Sequence, residues 1–189
     1  KLTSENKIEK LYPEIYIDFN AVAKGYGIDL IGCYLDSKGV NNYLIELGGE
    51  ILAKGKNVEK NKSWLVGIEN VNLNDKSFSS IIALEDIAMA TSGNYRKFRI
   101  DSLTGKKYVH TLNPITGSAS KSDITSATVL ASTCALADAY ATAFMALGLE
   151  NSKVILKNID KIDVYFTYND QNNEEQVFAT EGLIKRLVN

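Results

Sequence analysis

The chain has 189 residues, 45% of them hydrophobic and 23% charged, which is typical of a globular protein with a substantial core. Its net charge of -2 provides no general field that would attract nucleic acid or an anionic membrane. No apolar run approaches the roughly 18 residues that a membrane span requires. We therefore expect no nucleic-acid partner and no membrane contact from this chain, so any phosphate recognition must be local.

The first half of the chain predicts a polar lead-in, one helix and a series of strands. Residues 1–14 form the lead-in, and Asp18 or Asn20 can cap a helix that Gly39 helps to end. The predicted strands are Tyr43–Leu47, 51–53, Trp64–Glu69, 80–84 and 87–90, the first two joined by a turn at Gly48-Gly49-Glu50.

The second half of the chain predicts more helix. A strand at 126–131 leads into an alanine-rich helix at 133–147, which Gly148 ends, and a shorter helix follows at 152–158. Strands at 163–168 and 175–179 form a final hairpin. Because strands and helices do not alternate in the βαβ manner, we predict an α+β fold with a mainly antiparallel sheet and packed helices.

The two cysteines, Cys33 and Cys134, are far apart, and each lies in an apolar stretch with helical character. This spacing predicts neither a disulfide framework nor a zinc site, so both are expected to be small core residues. The chain begins with Lys1 and shows no signal peptide or lipidation motif. We expect a processed or truncated product whose localisation signal has been removed.

The first of four segments that could carry chemistry contains Lys24, Gly25 and Gly27. Each glycine costs a helix about 1 kcal/mol relative to alanine, which makes sense where something must approach the backbone closely. A helix N-terminus with a lysine beside it can bind an anion. Close helix–sheet packing with a solvated lysine is the alternative interpretation.

The second segment is the glycine pair Gly48-Gly49, which follows Glu46. A hairpin turn alone accounts for two glycines. A strand edge without side chains would also let a flat or phosphorylated ligand lie against the backbone amides.

The third segment places Asp138 and Thr142 four residues apart on one face of a helix. A carboxylate on an otherwise apolar helix needs a partner, and a hard cation such as Mg²⁺ is one candidate. An acid favoured by the helix dipole, with Thr142 bonded to the preceding turn, is the other.

The fourth segment combines a predicted turn at 90–96 with the region of His110, the only histidine of the chain. Histidine exchanges protons near neutral pH, so His110 is the first candidate for acid–base chemistry. Asn113-Pro114 fixes a second turn just after it. Both turns are also compatible with a purely structural role.

In order and spacing, these segments resemble the successive motifs of the ApbE family of FAD:protein FMN transferases. The resemblance covers nearly the whole chain, and members usually have a further N-terminal portion that includes part of the FAD pocket. We therefore expect residues 1–189 to form a single ApbE-like domain that lacks this portion. The five motifs are Ala23-Lys24-Gly25-Tyr26-Gly27-Ile28-Asp29, Leu47-Gly48-Gly49-Glu50, Ala90-Thr91-Ser92-Gly93-Asn94-Tyr95, His110-Thr111-Leu112-Asn113-Pro114-Ile115-Thr116-Gly117 and Ala137-Asp138-Ala139-Tyr140-Ala141-Thr142.

The resemblance implies a T-fold-like architecture and transfer of FMN from FAD to a threonine or serine hydroxyl of an acceptor flavoprotein, with release of AMP. It implies that His110 is the general base and that Mg²⁺ is held by the Ala23 carbonyl, Asp138 and Thr142. An extracytoplasmic parent protein, periplasmic or anchored by a lipid, is also implied. The residues implied to surround FAD are Lys24, Tyr26, Asp29, Glu46, Gly48, Gly49, Ser92, Gly93 and Thr111.

Two positions depart from the family pattern. Asn113 stands where many relatives have aspartate before the proline, which removes a possible charge, and Glu50 stands where aspartate often follows the glycine pair. Two other functions remain open alongside FMN transfer. One is an FAD pyrophosphatase that releases FMN and AMP, and the other is a non-catalytic flavin-binding domain.

Overall fold

The computed structural model describes residues 1–69, 78–93, 98–100, 107–109, 117 and 122–188. The helices are α1 (Asn20–Ser37), α2 (Cys134–Leu147), α3 (Leu149–Leu156) and α4 (Glu181–Ile184). The strands are β1 (Tyr43–Leu47), β2 (Glu50–Lys54), β3 (Trp64–Glu69), β4 (Phe78–Leu84), β5 (Ile87–Gly93), β6 (Phe98–Ile100), β7 (Lys107–Val109), β8 (Ile124–Ala131), β9 (Asp163–Asn169), β10 (Glu175–Ala179) and β11 (Leu187–Val188).

Six strands form one sheet in the order β1-β2-β5-β8-β9-β10, and every neighbouring pair in it is antiparallel. A smaller antiparallel sheet has the order β11-β4-β3, and β6 pairs with β7. The predicted α+β class, with an antiparallel sheet and packed helices, is confirmed. No helix within the described part of the chain is long and apolar enough to cross a membrane.

The large sheet is covered on both faces. Val129 on β8 belongs to a buried cluster with Ala141 and Phe144 of α2. Leu130, the next residue, belongs to a separate cluster with Ile82 of β4. Because side chains alternate along a strand, α2 covers one face of the sheet and the smaller sheet covers the other. This packing fixes α2 over β5 and β8, in the middle of the sheet.

The start of α1 is a little different from the prediction. Asp18 accepts a hydrogen bond from the Asn20 N–H at 2.6 Å and so supports the first turn, but the N-cap residue is Phe19 and its side chain makes no capping bond. At the other end the predicted stop is present, because Gly39 has a φ of 74°, which glycine adopts without strain.

The predicted turn at 90–96 is wrong in its first part, because β5 continues through Gly93. Thr91 lies opposite Thr128 of β8, and their hydroxyl oxygens are 2.9 Å apart. Pairing with β8 therefore outweighs the local turn preference of serine and glycine in this run. Residues 94–97 lie outside the described part of the chain.

The helix predicted at 152–158 begins earlier, at Leu149. Gly148, with a φ of 77°, ends α2 and directly precedes the new helix. The Asp123 carboxylate accepts the Leu149 N–H at 3.0 Å. This acceptor from the loop before β8 supplies a helix start that the local sequence does not contain.

The two cysteines differ in environment. Cys134 is buried at the start of α2, as predicted, but Cys33 is exposed, so its predicted core position is wrong. Gly32, the preceding residue, is the one that faces the sheet, against Leu52 and Tyr43. Burial raises the pKa of Cys134 to about 12.

We expect iodoacetamide at pH 8 to alkylate Cys33 in the folded protein and to reach Cys134 only after unfolding. The thiolate is the reactive form, and a buried thiol with a pKa of about 12 supplies almost none of it. Peptide mapping by mass spectrometry assigns the label to each cysteine. Equal labelling of both cysteines under native conditions would contradict the packing of α2 on the sheet.

Candidate functional site

The candidate site begins where α1 crosses α2 at Gly25. A Cβ atom at this position would fall on the carbonyl oxygen of Cys134, so only glycine allows the two backbones to approach this closely. The Gly25 N–H donates a hydrogen bond to Oδ2 of Asp138 at 3.0 Å. This bond unites the first and third predicted segments, whose residues are 113 positions apart.

Asp138 is 3% exposed and lies on α2 among small residues. Burial raises the pKa of its carboxyl group, while the hydrogen bond from Gly25 and the positive charge of Lys24 lower it. Desolvation is the largest of these effects. Because desolvation is the largest effect, an additional cation beside Asp138 would stabilise the charged form of its carboxyl group.

Lys24 forms an ion pair with Glu50, with 2.5 Å between Nζ and Oε2. The Lys24 side chain is 46% exposed, whereas that of Glu50 is 2% exposed. Burial raises the pKa of Glu50, and Lys24 lowers it through its hydrogen bond and its charge. Apart from this ion pair, Oε2 has no hydrogen-bond partner among the described residues. The charge of Glu50 is thus balanced by one half-exposed ammonium group.

The glycine pair lies directly beside this ion pair. Gly48 and Gly49 have φ angles of 63° and 106°, which side chains rarely adopt, so the predicted turn is present. Glu46 Oε1 accepts the Gly49 N–H at 3.0 Å and braces the turn. A Cβ on Gly48 would lie 3.9 Å from the Lys24 ammonium nitrogen. The second predicted segment therefore adjoins the first.

Ser92 connects the end of β5 to α2. Its hydroxyl oxygen lies 3.2 Å from that of Thr142, one helical turn beyond Asp138. Gly93 follows as the last residue of the strand. Four of the five motifs are therefore linked by direct contacts at one place in the fold.

Three further predicted residues lie on α1. Ala23 and Tyr26 have exposed side chains. Asp29 accepts two hydrogen bonds from α2, from the Cys134 N–H at 2.8 Å and the Ala135 N–H at 2.9 Å. This second link between the helices was not foreseen, because a backbone donor 105 positions away leaves no signal in the sequence.

The motif that contains His110 lies outside the described residues, except for Gly117. The predicted base His110, the predicted FAD contact Thr111 and the turn at Asn113-Pro114 therefore stay predictions.

The donors at the helix crossing fit a hard divalent cation. They are the Asp138 carboxylate and the Thr142 hydroxyl, which lie one helical turn apart on α2. Within the described residues, no group of three or more histidine, cysteine, aspartate or glutamate side chains could hold a metal. Mg²⁺ commonly binds through one or two carboxylates together with water and substrate phosphates, so this sparse set suits it.

Together, the fold and the site define an α+β protein whose candidate ligand site lies where two helices cross beside a glycine turn. The chain belongs to the ApbE family, whose family model matches residues 1–166.

Two curated relatives are named FAD:protein FMN transferase. The protein from Vibrio cholerae is 38% identical over 150 residues, which cover 79% of this chain and 44% of that protein. The protein from Haemophilus influenzae is 34% identical over 166 residues, which cover 87% of this chain and 47% of that protein. The chain thus spans less than half the length of these relatives.

Solved structures agree with the fold. The flavin transferase ApbE from Vibrio cholerae superposes with a TM-score of 0.81 at 33% identity, over 96% of this chain and 56% of that one. The ApbE protein from Thermotoga maritima has a TM-score of 0.83 at 23% identity, over 100% of this chain and 59% of that one, and shares the fold.

We expect Gly25→Ala to lower the free energy of unfolding by about 1–3 kcal/mol, because the added methyl group overlaps backbone atoms of α2. Gly27→Ala is the matched control, since a Cβ there meets nothing within 4 Å. It should raise the free energy of unfolding by up to about 1 kcal/mol through helix propensity. Urea unfolding measures both values, and equal effects would rule out the close crossing.

A double-mutant cycle tests the ion pair at the glycine turn. Lys24→Met leaves the buried Glu50 carboxylate unpaired and should lower the free energy of unfolding by about 1–3 kcal/mol. Glu50→Gln should cost less, because the half-exposed ammonium can turn to water. The double variant should then show a coupling of more than about 0.5 kcal/mol in urea unfolding.

The exposed pair Lys7–Glu5 is the control for this cycle, and its coupling should be close to zero. A coupling between Lys24 and Glu50 no larger than this control would mean that the buried carboxylate does not depend on the lysine.

Proposed function

We propose that this chain supplies the metal and pyrophosphate residues of a Mg²⁺-dependent FAD:protein FMN transferase. The complete protein transfers FMN from FAD to a threonine or serine hydroxyl of an acceptor flavoprotein and releases AMP. The observation that carries the proposal is the bond between Gly25 and Asp138, which joins the lysine motif to the aspartate motif beside the glycine turn. The Vibrio cholerae and Haemophilus influenzae relatives are named FAD:protein FMN transferase, which supports transfer of FMN from FAD to a protein.

Asp138, Thr142 and the Ala23 carbonyl would hold Mg²⁺, which when bound neutralises charge on the pyrophosphate as a Lewis acid. The burial of Asp138 supports this assignment, because desolvation leaves its carboxylate in need of a cation. Ser92, which shares a hydroxyl contact with Thr142, can orient that hydroxyl.

Lys24 would bind the anionic part of FAD. Its half-exposed ammonium lies beside a turn whose two glycines carry no side chains of their own. A phosphate can therefore approach the lysine without displacing a side chain of the turn. The remaining FAD contacts that we propose are Tyr26, Glu46, Ser92, Gly93 and Thr111.

His110 would take the proton from the acceptor hydroxyl. The hydroxyl oxygen then forms a bond to the phosphorus on the FMN side, and the bond from that phosphorus to the bridging oxygen breaks. AMP leaves with the bridging oxygen and the electron pair. General base catalysis typically contributes about 10² to 10⁴-fold, which is a reasonable share for one histidine.

We expect His110→Ala in the complete protein to lower FMN transfer at least about 100-fold while FAD still binds, because only the proton acceptor is lost. Transfer is measured as covalent flavin fluorescence on the acceptor protein, and binding as quenching of FAD fluorescence. Glu150→Gln, on the exposed surface of α3, serves as a control outside the proposed machinery. Transfer by His110→Ala at the wild-type rate would remove His110 from the mechanism.

Product analysis separates the other two functions. Free FMN and AMP formed without an acceptor would indicate an FAD pyrophosphatase, and FAD binding without Mg²⁺-dependent turnover would indicate a flavin-binding domain.

An extracytoplasmic location is proposed on the family resemblance alone, and fractionation of cells that produce the complete protein tests it.

A further inference from the structure

We propose that Asp29 is a positioning residue, which fixes α2 on α1 and so holds Asp138 at Gly25, and that it does not contact FAD itself. This role rests on the proposed function, because it assumes that Asp138 and Thr142 hold a metal ion. It replaces the FAD contact that family resemblance implies for this residue.

Asp29 caps α2 from outside that helix. Its Oδ1 accepts the Cys134 N–H at 2.8 Å and its Oδ2 accepts the Ala135 N–H at 2.9 Å. Amides in the first turn of a helix have no partner within the helix, and the helix dipole favours a negative charge there. Thr133, the N-cap residue of α2, separately accepts the Leu136 N–H at 3.3 Å. The start of α2 therefore has two independent caps, one from its own N-cap residue and one from α1.

The geometry links this cap to the site. Gly25 and Asp29 are four residues apart on one face of α1, and Cys134 and Asp138 are four apart on one face of α2. Asp29 meets Cys134, and Gly25 meets Asp138, so one turn of each helix is joined by two contacts. In each contact a carboxylate of one helix accepts a backbone N–H of the other.

The crossing at Gly25 gives these two contacts their role. Gly25 has no side chain to interlock with α2, so the position of α2 along α1 depends there on the two hydrogen bonds and on Ile28, which belongs to one buried cluster with Cys134. Two charge-assisted hydrogen bonds at opposite ends of one turn fix the position of α2 along α1. Loss of the Asp29 contact leaves the Gly25 bond as the only one of these two hydrogen bonds.

Both oxygens of Asp29 are committed to α2, and a free carboxylate would repel a phosphate. Each Asp29 oxygen already accepts one amide of α2, so a contact with FAD could use only the remaining lone pairs of the carboxylate. The arrangement of the described residues therefore favours an indirect role for Asp29, which holds Asp138 and Thr142 in position.

Hydrogen exchange of the Gly25 amide tests the inference without metal or FAD. In the complete protein, we expect Asp29→Ala to accelerate exchange of the Gly25 N–H at least about tenfold, because its bond to Asp138 opens more often. Thr133→Ala removes the other cap of the same helix and should change this rate less than about threefold. Exchange at Phe144 and Ile31, in the same two helices, should stay unchanged in both variants.

Asp29→Asn is the second variant, because it keeps the size of the side chain and one acceptor, and it should give an intermediate rate. An unchanged exchange rate of the Gly25 amide in Asp29→Ala would overturn the inference. If the alanine variant does not fold, an unchanged rate in Asp29→Asn would overturn it instead. Equal acceleration by Thr133→Ala would also overturn it, because any loss of capping would then suffice.

A second measurement separates positioning from binding. We expect Asp29→Ala to weaken binding of Mn²⁺, used as the probe, about tenfold and to lower kcat, with the KM for FAD changed less than about threefold. A rise in KM with kcat unchanged would assign Asp29 to FAD. A wild-type protein that transfers no FMN would remove the proposed function and leave the exchange result intact.

Discussion

The hydrogen bond from the Gly25 amide to Asp138 is the contact on which the candidate site depends. It can form only because Gly25 lacks a side chain and lets the backbones of α1 and α2 meet. It also requires α2 to be held in place, and the buried cluster of Phe144 with β8 and β9 provides that support. The core packing of α2 and its crossing with α1 therefore together determine the position of Asp138, a candidate ligand residue.

Charge burial at this crossing opposes folding near neutral pH. Burial raises the pKa values of both Glu50 and Asp138. A carboxyl group whose pKa is raised in the folded state stabilises the fold below its ordinary pKa, and this contribution is lost as the pH rises through the folded value. Lys24 offsets part of the effect, because its ammonium lowers both pKa values. When both carboxyl groups are ionised, one lysine does not balance their charge, and the remaining negative charge would favour a divalent cation.

The sequence could predict those features that depend on neighbouring residues. The stop of α1 at Gly39, the glycine turn after β1 and the extent of α2 all follow from local rules, and the structure contains them. The resemblance to the ApbE family implied a shared site for the five motifs, and four of these motifs adjoin one another at the helix crossing. The three local features rest on side-chain patterns that occur within a few residues.

Features that depend on distant partners could not be predicted in this way. Ser92 has turn preferences, and only pairing with Ala127 of β8 shows it to be in a strand. Cys33 has the apolar neighbours of a core residue, yet the rotation of α1 leaves it in solvent. Asp29 could be recognised as an acid beside a glycine-rich turn of helix, but its partners are backbone amides, which no sequence pattern reports. The short elements α4 and β11 contain too few residues to show a hydrophobic periodicity.

The site is built on rigid elements, and this limits what can move when a ligand binds. Asp138 and Thr142 lie in the interior of α2, Ser92 is paired in β5, and the turn at Gly48 is braced by Glu46. Residues held in this way keep their geometry before the ligand arrives, which lowers the entropy lost on binding. Lys24 differs from them, because its side chain is half-exposed and its ammonium has one anionic partner, Glu50, among the described residues. An incoming phosphate would therefore compete with Glu50 for this lysine while the other described members of the site stay in place.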